Sequence, residues 1–297
     1  IGYSDARGIV DTEGKTPSDL QDPVTSIGIG ENKLRTHPAF ETDLDQGGWS
    51  NKLEGIWVAK YEASKGSNNK PKFEPGVSSW RNETIGDMYD IAYNYDRNKE
   101  SHLMKNSEWG VVAYLTESKY GKNGTVVSKN TDSGYYTAGG SGAEPTTNKL
   151  QSTTGNEYGI FDTVGGAYEY IAGYIADSSL SYGNSFASKD DTKNNKTEST
   201  PYATVYKMAT SNILTDNYNI NINKIFGDAT TEISTSGNGT TSWHSAYSYF
   251  VGIKNSDVCP FFLRGGYYNS SNAGSCYFNT VSGDRYSGSS FRVCLAV

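Results

Sequence analysis

The residues of this chain best suited to metal or thiol chemistry are three cysteines and three histidines. The cysteines are Cys259, Cys276 and Cys294, and the histidines are His37, His102 and His244. No two cysteines form a C-x-x-C pair, and three cysteines can form at most one disulfide. Free cysteines are often buried as small apolar side chains, and we expect that role here. Since the histidines also lack the spacing of zinc ligands, the sequence predicts no zinc site.

Charge and hydropathy argue against two classes of partner. The chain of 297 residues has a net charge of -7 and a pI of about 5.1, and no stretch of it is rich in Lys and Arg. A nucleic-acid-binding surface is basic, so we expect no nucleic acid partner. The longest apolar stretches, such as residues 170–176, are too short to cross a bilayer, so we expect no membrane insertion.

The elements that position these residues are predicted to include two helices among strands and loops. The chain has 33 Gly and 23 Tyr and only 35% apolar residues, a composition that favours loops and strands. Asn82 or Thr84 can cap a first helix that ends near Tyr95, and a second helix begins near 106–108 and ends at Gly121. The predicted apolar positions are Ile85, Met88, Tyr89 and Ala92 in the first helix and Trp109, Val112, Ala113 and Thr116 in the second.

Two segments have the pattern of core strands. Residues 55–62 suit a strand that is covered on both faces, and residues 291–297 alternate as a core strand does. Between them, glycines in residues 158–170 mark a tight turn that joins two apolar segments.

Three long polar stretches, at 121–154, 177–200 and 227–242, are predicted to be surface loops. Residues 1–36 are polar and have no clear element. The sequence therefore divides into an N-terminal segment, 1–36, and a domain, 37–297.

Five motifs, in order along the domain, resemble those of formylglycine-generating-enzyme domains. The family patterns GFWIGKYE, PV..VSW, RLPTEAEW, YGLYDMSGNVWEW and LRGGSW…GFRV are similar to residues 55–62, 75–80, 102–109, 158–170, and 263–266 with 290–293. The resemblance implies an α+β fold of the C-type lectin type, with a twisted, mostly antiparallel sheet, two helices and long loops. It is more specific for the fold than for the function.

This family includes copper enzymes, sulfoxide synthases and non-enzymatic binding proteins. The copper enzymes need two cysteines five positions apart, but Ser271 and Val281 stand five positions from Cys276. The sulfoxide synthases need an iron-binding histidine set that the three scattered histidines do not supply. The resemblance therefore implies a protein that is not an enzyme. A metal-dependent oxidoreductase with displaced ligands is the alternative.

The family's GN.WEW turn often lends oxygen ligands to a calcium ion. In this chain Gly166 replaces the Asn of that motif, while Asp162 and Glu169 remain. Because calcium needs several oxygen ligands, the loss of one weakens the site. We predict no cofactor, with calcium as the alternative, and we expect Glu169 to pair with a buried Arg292 or Arg264.

Residues 267–290 have the composition of a binding surface. Tyr provides large rigid contacts, and Ser, Asn and Gly provide adaptable hydrogen bonds. Ser275, Tyr277 and Asn279 alternate with Cys276 and Phe278. The alternation predicts that the first set faces solvent and the second faces the core.

The variable proteins of diversity-generating retroelements, which this chain resembles, carry their diversified residues at the same position. Adenine mutagenesis in those proteins cannot turn an Asn codon into Lys, Glu, Gln, Met or Trp. None of these five residue types occurs in residues 267–290. The resemblance thus implies a diversified surface, and chance absence from a loop rich in Tyr and Ser is the alternative.

Together these features predict an extracellular ligand-binding protein on a bacterial cell surface or a phage virion, such as a phage receptor-binding protein or an adhesin. The predicted partner is a protein or glycan ligand on a cell surface, and Tyr277 and Tyr286 are the predicted main anchors. A structural pilus or virion domain is a further alternative. The predicted ligand-binding residues are Tyr267, Tyr268, Asn269, Ser275, Tyr277, Asn279, Thr280, Val281, Ser282, Asp284, Arg285, Tyr286 and Ser287.

Overall fold

The structure is a computed structural model, and it describes most of the chain from residue 51 onward. The described residues are 2–4, 8–10, 34–40, 48–49, 51–176, 201–207, 225, 227–234, 246–250 and 259–297. They form a mixed α+β structure with two α-helices and several antiparallel or mixed sheets. The predicted loop at 177–200, most of the segment 1–36 and the end of the predicted loop at 227–242 lie outside the described residues.

The largest sheet has six strands and joins distant parts of the chain. Its order is β10-β12-β11-β8-β13, and β9 also pairs with β8. The pairs β11–β12 and β11–β8 are antiparallel, and the other three pairs are parallel. The expectation of one mostly antiparallel sheet is therefore wrong for this mixed sheet. The strands are β8 (Tyr168–Ala176), β9 (Thr204–Lys207), β10 (Ser248–Tyr249), β11 (Phe261–Arg264), β12 (Phe278–Val281) and β13 (Ser289–Phe291).

The described residues also form three smaller sheets, and one of them contains the C-terminal strand. The first is antiparallel with the order β2-β1-β3, the second is antiparallel with the order β4-β14-β7, and β5 pairs with β6 in the third. The strands are β1 (Gly2–Ser4), β2 (Gly8–Val10), β3 (Leu34–Thr36), β4 (Ile56–Val58), β5 (Ser64–Lys65), β6 (Pro71–Lys72), β7 (His102–Leu103) and β14 (Val293–Ala296). The sequence did not predict the three strands within residues 1–36.

The first helix, α1 (Ile85–Tyr93), agrees with its prediction. Thr84 is the N-cap, and its side chain accepts a hydrogen bond from the backbone N–H of Asp87, whose own side chain accepts one from Thr84 N–H. This reciprocal pair satisfies two backbone donors at the start of the helix. The four predicted apolar positions are all buried: Ile85, Met88, Tyr89 and Ala92.

The second helix, α2 (Asn106–Glu117), begins where predicted and ends before the predicted Gly121. Ser118 is its C-cap, and the chain then turns so that Gly121 N–H donates to Ser118 O. The predicted apolar positions Trp109, Val112, Ala113 and Thr116 are buried, as is most of the rest of the helix. Burial on all sides places α2 inside the protein rather than on its surface.

The two helices cover opposite faces of the six-stranded sheet. Along β8, Ile171 and Ile175 belong to the apolar cluster that contains Trp109 of α2. Tyr170, Ala172 and Tyr174 alternate with them and belong to the cluster that contains Ile85 and Met88 of α1. Successive side chains of a strand point to opposite faces, so the sheet separates two apolar layers.

Two strand predictions need correction. The segment 55–62 is not covered on both faces, because β4 is an edge strand and Trp57 is 68% exposed. The C-terminal segment is not one strand either, since it leaves the large sheet after β13 and joins β4 as β14. Arg292, at the break, is fully buried. The predicted turn is confirmed, with Gly165 and Gly166 at φ values of 80° and 72°.

Gly110 permits α2 to lie directly against the backbone of residues 227–228. A Cβ at this position would stand 1.8 Å from Gly227 O and 2.8 Å from Asp228 Cα. Replacing Gly110 by Ala is expected to lower the free energy of unfolding by about 2 kcal/mol. Overpacking costs up to about 3 kcal/mol, and the better helix propensity of Ala recovers about 1 kcal/mol.

Urea denaturation followed by far-UV circular dichroism measures this loss. Gly55→Ala is the matched control, because no atom lies within 4 Å of a Cβ at Gly55. The control is expected to change stability by less than about 0.5 kcal/mol. Equal stability of the two variants would show that the close contact of Gly110 is not tight in solution.

Candidate functional site

A pocket of about 350 Å³ lies on the α1 side of the large sheet, within the size range of small-ligand sites. Its lining includes Tyr168 and Tyr170 of β8 and Leu263 of β11. The remaining lining residues all come from the predicted binding segment: Asn279, Val281, Ser282, Asp284, Arg285, Tyr286 and Ser289.

Strand register brings these residues together. Leu263 pairs with Asn279 on β12 and with Tyr170 on β8. Side chains of directly opposed residues stand on the same face of a sheet. Three distant segments therefore present one apolar, one amide and one phenol side chain side by side. No local pattern in the sequence specifies this grouping.

The loop of residues 282–288 closes one side of the pocket, and hydrogen bonds tie it to the sheet and to the start of α1. The hydroxyl of Tyr170 donates to Asp284 O at 2.8 Å. The backbone N–H of Ile85 donates to Gly283 O at 3.0 Å, and that of Asn82 donates to Tyr286 O at 3.2 Å. These three hydrogen bonds hold the loop backbone in place, so its outward side chains project from an ordered backbone.

Arg285 contributes to the same attachment. Its guanidinium forms salt bridges with Glu83 at 2.5 Å and with Asp87 at 2.7 Å, although its side chain remains half-exposed. Both partners lie at the start of α1. The predicted ligand contact is therefore also a structural contact, and its charge is already partly neutralised.

A continuous group of tyrosine rings, here called the tyrosine cluster, includes two residues that line the pocket, Tyr168 and Tyr286. Tyr168 is at its centre, stacked on Tyr267 at 5.1 Å between ring centroids and close to Tyr277 at 5.8 Å and Tyr286 at 6.5 Å. Such spacing is typical of favourable aromatic contacts. The members are Tyr135, Tyr168, Tyr247, Tyr249, Tyr267, Tyr268, Tyr277 and Tyr286.

The tyrosine cluster offers neutral phenols to a ligand. Burial, together with a hydrogen bond to the Tyr135 hydroxyl, raises the pKa of Tyr267 to about 12. Burial and the neighbouring Tyr267 also raise the pKa of Tyr286. Each hydroxyl is therefore protonated near neutral pH and can both donate and accept hydrogen bonds.

Three predicted ligand contacts are buried instead. Ser275, Tyr277 and Thr280 are not displayed to solvent, and Tyr277 is only 3% exposed. The alternation was applied too early, because β12 begins at Phe278 and residues 275–277 precede it. From Phe278 onward the alternation holds, with Thr280 buried and Asn279 and Val281 half-buried.

Contacts with α2 explain why the segment before β12 is buried. The indole N–H of Trp109 donates to Ser275 O at 2.8 Å, and the Ser275 hydroxyl donates to Glu117 at 2.9 Å. Tyr277 belongs to the apolar cluster on the α2 side of the sheet. Tyr277 is therefore not accessible to a ligand. Tyr286, the other predicted anchor, is 47% exposed.

The remaining predicted contacts are accessible to different degrees. Tyr267 and Tyr268 are half-buried, and they contact each other with ring centroids 4.6 Å apart. Asn269, Ser282, Asp284 and Ser287 are exposed. Sequence reasoning missed the contributions of Tyr135, Tyr168, Tyr170, Tyr247 and Tyr249, for which the high Tyr content was the only signal.

A buried charge cluster includes Asp162 and Glu169, the residues for which calcium was the alternative prediction. Both Glu169 oxygens accept from the guanidinium of Arg292, at 2.6 and 3.0 Å. The prediction that Glu169 pairs with a buried arginine is confirmed. Arg264 instead donates to Asp228 O and Ala229 O. Because Arg292 engages the oxygens of Glu169, and Gly166 has no side-chain oxygen, the residues do not fit a calcium ion.

Arg292 also organises the surrounding chain. It donates to Ala59 O at 2.6 Å and to Phe161 O at 2.8 Å. Two more buried carboxyl groups, Glu62 and Asp162, lie near it, and burial together with the neighbouring charges raises the pKa of Glu62 well above its ordinary value. The single guanidinium is thus the positive centre of a buried acidic cluster.

A second buried polar group contains His102, Glu108 and Cys294, whose ligand-type atoms lie within 4.8 Å of one another. His102 Nε2 lies 2.7 Å from Glu108, and its Nδ1 lies 2.6 Å from Glu100 O. Sequence spacing did not reveal this group, because Cys294 reaches it only through the pairing of β14 with β7. Hydrogen bonds account for both ring nitrogens and so explain the group without a metal ion.

The cysteines do not resemble catalytic thiols. Cys276 and Cys294 are buried and Cys259 is partly buried, and in the part of the chain that the structure describes none of the three forms a disulfide. Burial raises the pKa of Cys276 to about 12. A thiol of this kind is protonated at neutral pH and is a poor nucleophile.

Searches of protein-family models and of curated proteins find no match to this chain. Among the residues that the structure describes, no helix has both the length and the apolar character needed to span a membrane.

Proposed function

We propose that this chain is a non-enzymatic ligand-binding protein with a C-type-lectin-like fold of the formylglycine-generating-enzyme type, displayed on a phage or bacterial surface. The observation that carries the proposal is the pocket: seven of its ten lining residues belong to 267–290, the segment chosen from sequence as the binding surface. The segment's composition and its position in the fold thus support one site.

The side chains at this site suit recognition of a protein or glycan on a cell surface. Leu263 and Val281 supply apolar area, Tyr286 supplies an exposed ring, and Asn279 and Asp284 supply hydrogen-bonding groups. Exposed aromatic rings beside adaptable polar side chains are typical of binding surfaces that recognise varied ligands. The supported loop backbone also reduces the entropy lost on binding.

Chemistry at the site supports a binding role over catalysis. Cys276 has no partner cysteine five positions away, and its thiol is buried. No histidine lines the pocket among the described residues. The location of the pocket also supports diversification by a retroelement, because seven of the pocket's lining residues come from 267–290.

Tyr286→Ala is expected to weaken ligand binding by about tenfold or more, because exposed aromatic anchors commonly supply 2 kcal/mol or so at binding sites. The measurement is binding of fluorescently labelled protein to a panel of intact bacterial strains and to a glycan array. Tyr286→Phe retains the ring and is expected to retain most of the binding.

Tyr158→Ala is the matched control, since Tyr158 is 82% exposed and is not a member of the tyrosine cluster. Binding should survive this change. If Tyr286→Ala and Tyr158→Ala bind alike, the pocket is not the ligand site. If the wild-type protein binds no strain and no glycan, the binding proposal itself is contradicted.

A further inference from the structure

A second pocket, here called the basic pocket, lies beside the loop 282–288 and has a volume of about 460 Å³. Two hydrogen bonds connect its lining residues to that loop. Asn82 N–H donates to Tyr286 O, and the Arg81 guanidinium donates to Ser287 O. None of its lining residues is among the predicted ligand-binding residues. Its lining residues are different from those of the pocket on the sheet.

The charge of the basic pocket is opposite to that of the chain. Lys65, Lys72 and Arg81 line it, and no lining residue among those described is acidic. The whole chain has a net charge of -7. Three cations around one concavity raise the local concentration of anions, because field lines are focused in a cleft.

The backbone that supports the basic pocket is already ordered. Lys65 and Lys72 lie on the β5–β6 hairpin, in which Ser64 pairs with Lys72. Ser64 also forms a bridge to Ser79, so a third extended segment lies alongside the hairpin. Cross-strand pairing fixes the backbone positions of Lys65 and Lys72, which both line the pocket, without help from a ligand.

The cations are only partly engaged by neighbours. Lys65 Nζ lies 4.9 Å from the centre of the Trp80 ring, and Lys72 forms an exposed salt bridge of 2.7 Å with Glu74. The Arg81 guanidinium lies 4.0 Å from the centre of the Tyr135 ring. Exposed salt bridges contribute little, so Lys72 can exchange Glu74 for another anion at small cost.

The lining contains buried polar atoms that have no hydrogen-bond partner among the described residues. They include the Nε of Arg81 and the hydroxyl of Ser64, a residue that is buried. Buried donors are almost always satisfied in folded proteins, and exceptions often mark a bound ion, water or ligand. This observation is independent of the charge and points to an oxygen-rich ligand.

We propose that the basic pocket binds an acidic saccharide, with a carboxylate or sulfate group facing Lys65, Lys72 and Arg81. The volume admits one or two sugar rings. Ser78 and Asn82, exposed residues that line the pocket, supply polar groups for sugar hydroxyls. This second site does not depend on the ligand of the first pocket, and it is tested with different probes.

Isothermal titration calorimetry at low ionic strength tests the proposal with four probes: glucuronic acid, glucose 6-sulfate, glucose and inorganic sulfate. Both acidic sugars should bind, glucose should bind at least about tenfold more weakly, and added salt should weaken the acidic sugars. A comparison of the two acidic sugars identifies the preferred anion. Inorganic sulfate should bind more weakly than either, because it has no sugar hydroxyls.

Lys65→Gln and Lys72→Gln retain the aliphatic part of each side chain and remove its charge. Each is expected to lower the affinity for the preferred acidic sugar by about tenfold. Lys149→Gln is the control, because Lys149 is exposed, does not line the basic pocket and changes the net charge equally. Thermal unfolding of each variant verifies that it is folded.

Several results would overturn the proposal. Equal binding of glucose and glucuronic acid would show that the cations do not select the ligand. Equal loss in Lys149→Gln would show a general charge effect rather than a site. Inorganic sulfate binding as tightly as the acidic sugars, or no binding of either acidic sugar at millimolar concentration, would exclude a saccharide site here.

Discussion

Replacing Arg292 by Met is expected to lower the free energy of unfolding by about 3–5 kcal/mol, the usual cost of removing one partner of a buried ion pair. The change leaves Glu169 without its positive partner and leaves the carbonyl groups of Ala59 and Phe161 without their donor. Because Glu62 and Asp162 are buried nearby, the remaining cluster is entirely acidic. Urea denaturation at neutral pH measures the loss.

Arg285→Met is the matched control for Arg292→Met. Arg285 also bonds two carboxylates, Glu83 and Asp87, but its side chain remains exposed to solvent. Solvent screens exposed ion pairs, so this change is expected to cost less than about 1 kcal/mol. A loss for Arg292→Met no larger than that for the control would show that the buried cluster is not a main source of stability.

Acidification is expected to destabilise the protein through His37. Burial lowers the pKa of this residue from its ordinary value of 6.5 to about 3. Its Nδ1 accepts a hydrogen bond from Ala39 N–H at 3.2 Å, which requires that this nitrogen carry no proton. The neutral ring is therefore the form that fits the folded protein, and protonation favours unfolding.

The sign and the pH range follow from these two pKa values. A base whose pKa is lowered by folding contributes its full stability above about pH 6.5 and loses it as the pH falls toward about 3. At about pH 4.5 the expected loss from this one group is about 2–3 kcal/mol, and the full difference corresponds to about 5 kcal/mol. Urea denaturation at a series of pH values measures the slope.

His37→Gln isolates this contribution, because Gln does not titrate. The variant is expected to be less dependent on pH between about 6.5 and 4.5 than the wild-type protein, whatever its absolute stability. Burial raises the pKa of Glu62 and Asp162, so these carboxyl groups act in the opposite direction in both proteins. Identical pH slopes for wild type and variant would contradict the assignment to His37.

The success of the helix predictions has a local physical cause. Thr84 and Asp87 are three residues apart and satisfy each other's backbone groups, and the apolar positions of α1 recur at helical spacing. Both signals lie within about ten residues of sequence. The end of α2 was placed too late, because the chain turns at Ser118 before the glycine that was expected to stop it.

In the predicted binding segment, local sequence patterns did not predict which side chains are exposed. Alternation predicted that Ser275 and Tyr277 face solvent, but Trp109 and Glu117 of α2 hold Ser275 from a distant part of the chain. The same limit applies to Glu169, for which the sequence offered two arginines. Arg292, which lies at the break between β13 and β14, is the arginine that pairs with Glu169.

The sequence by itself determined both helices, the turn at Gly165 and Gly166, and the segment from which seven of the pocket's lining residues come. Only the tertiary structure decided which side chains of that segment are exposed and which strands complete the pocket. Helix caps and turns depend on neighbouring residues. Burial and pocket shape depend on strand register and on contacts between segments far apart in the chain, which no short pattern of residues encodes.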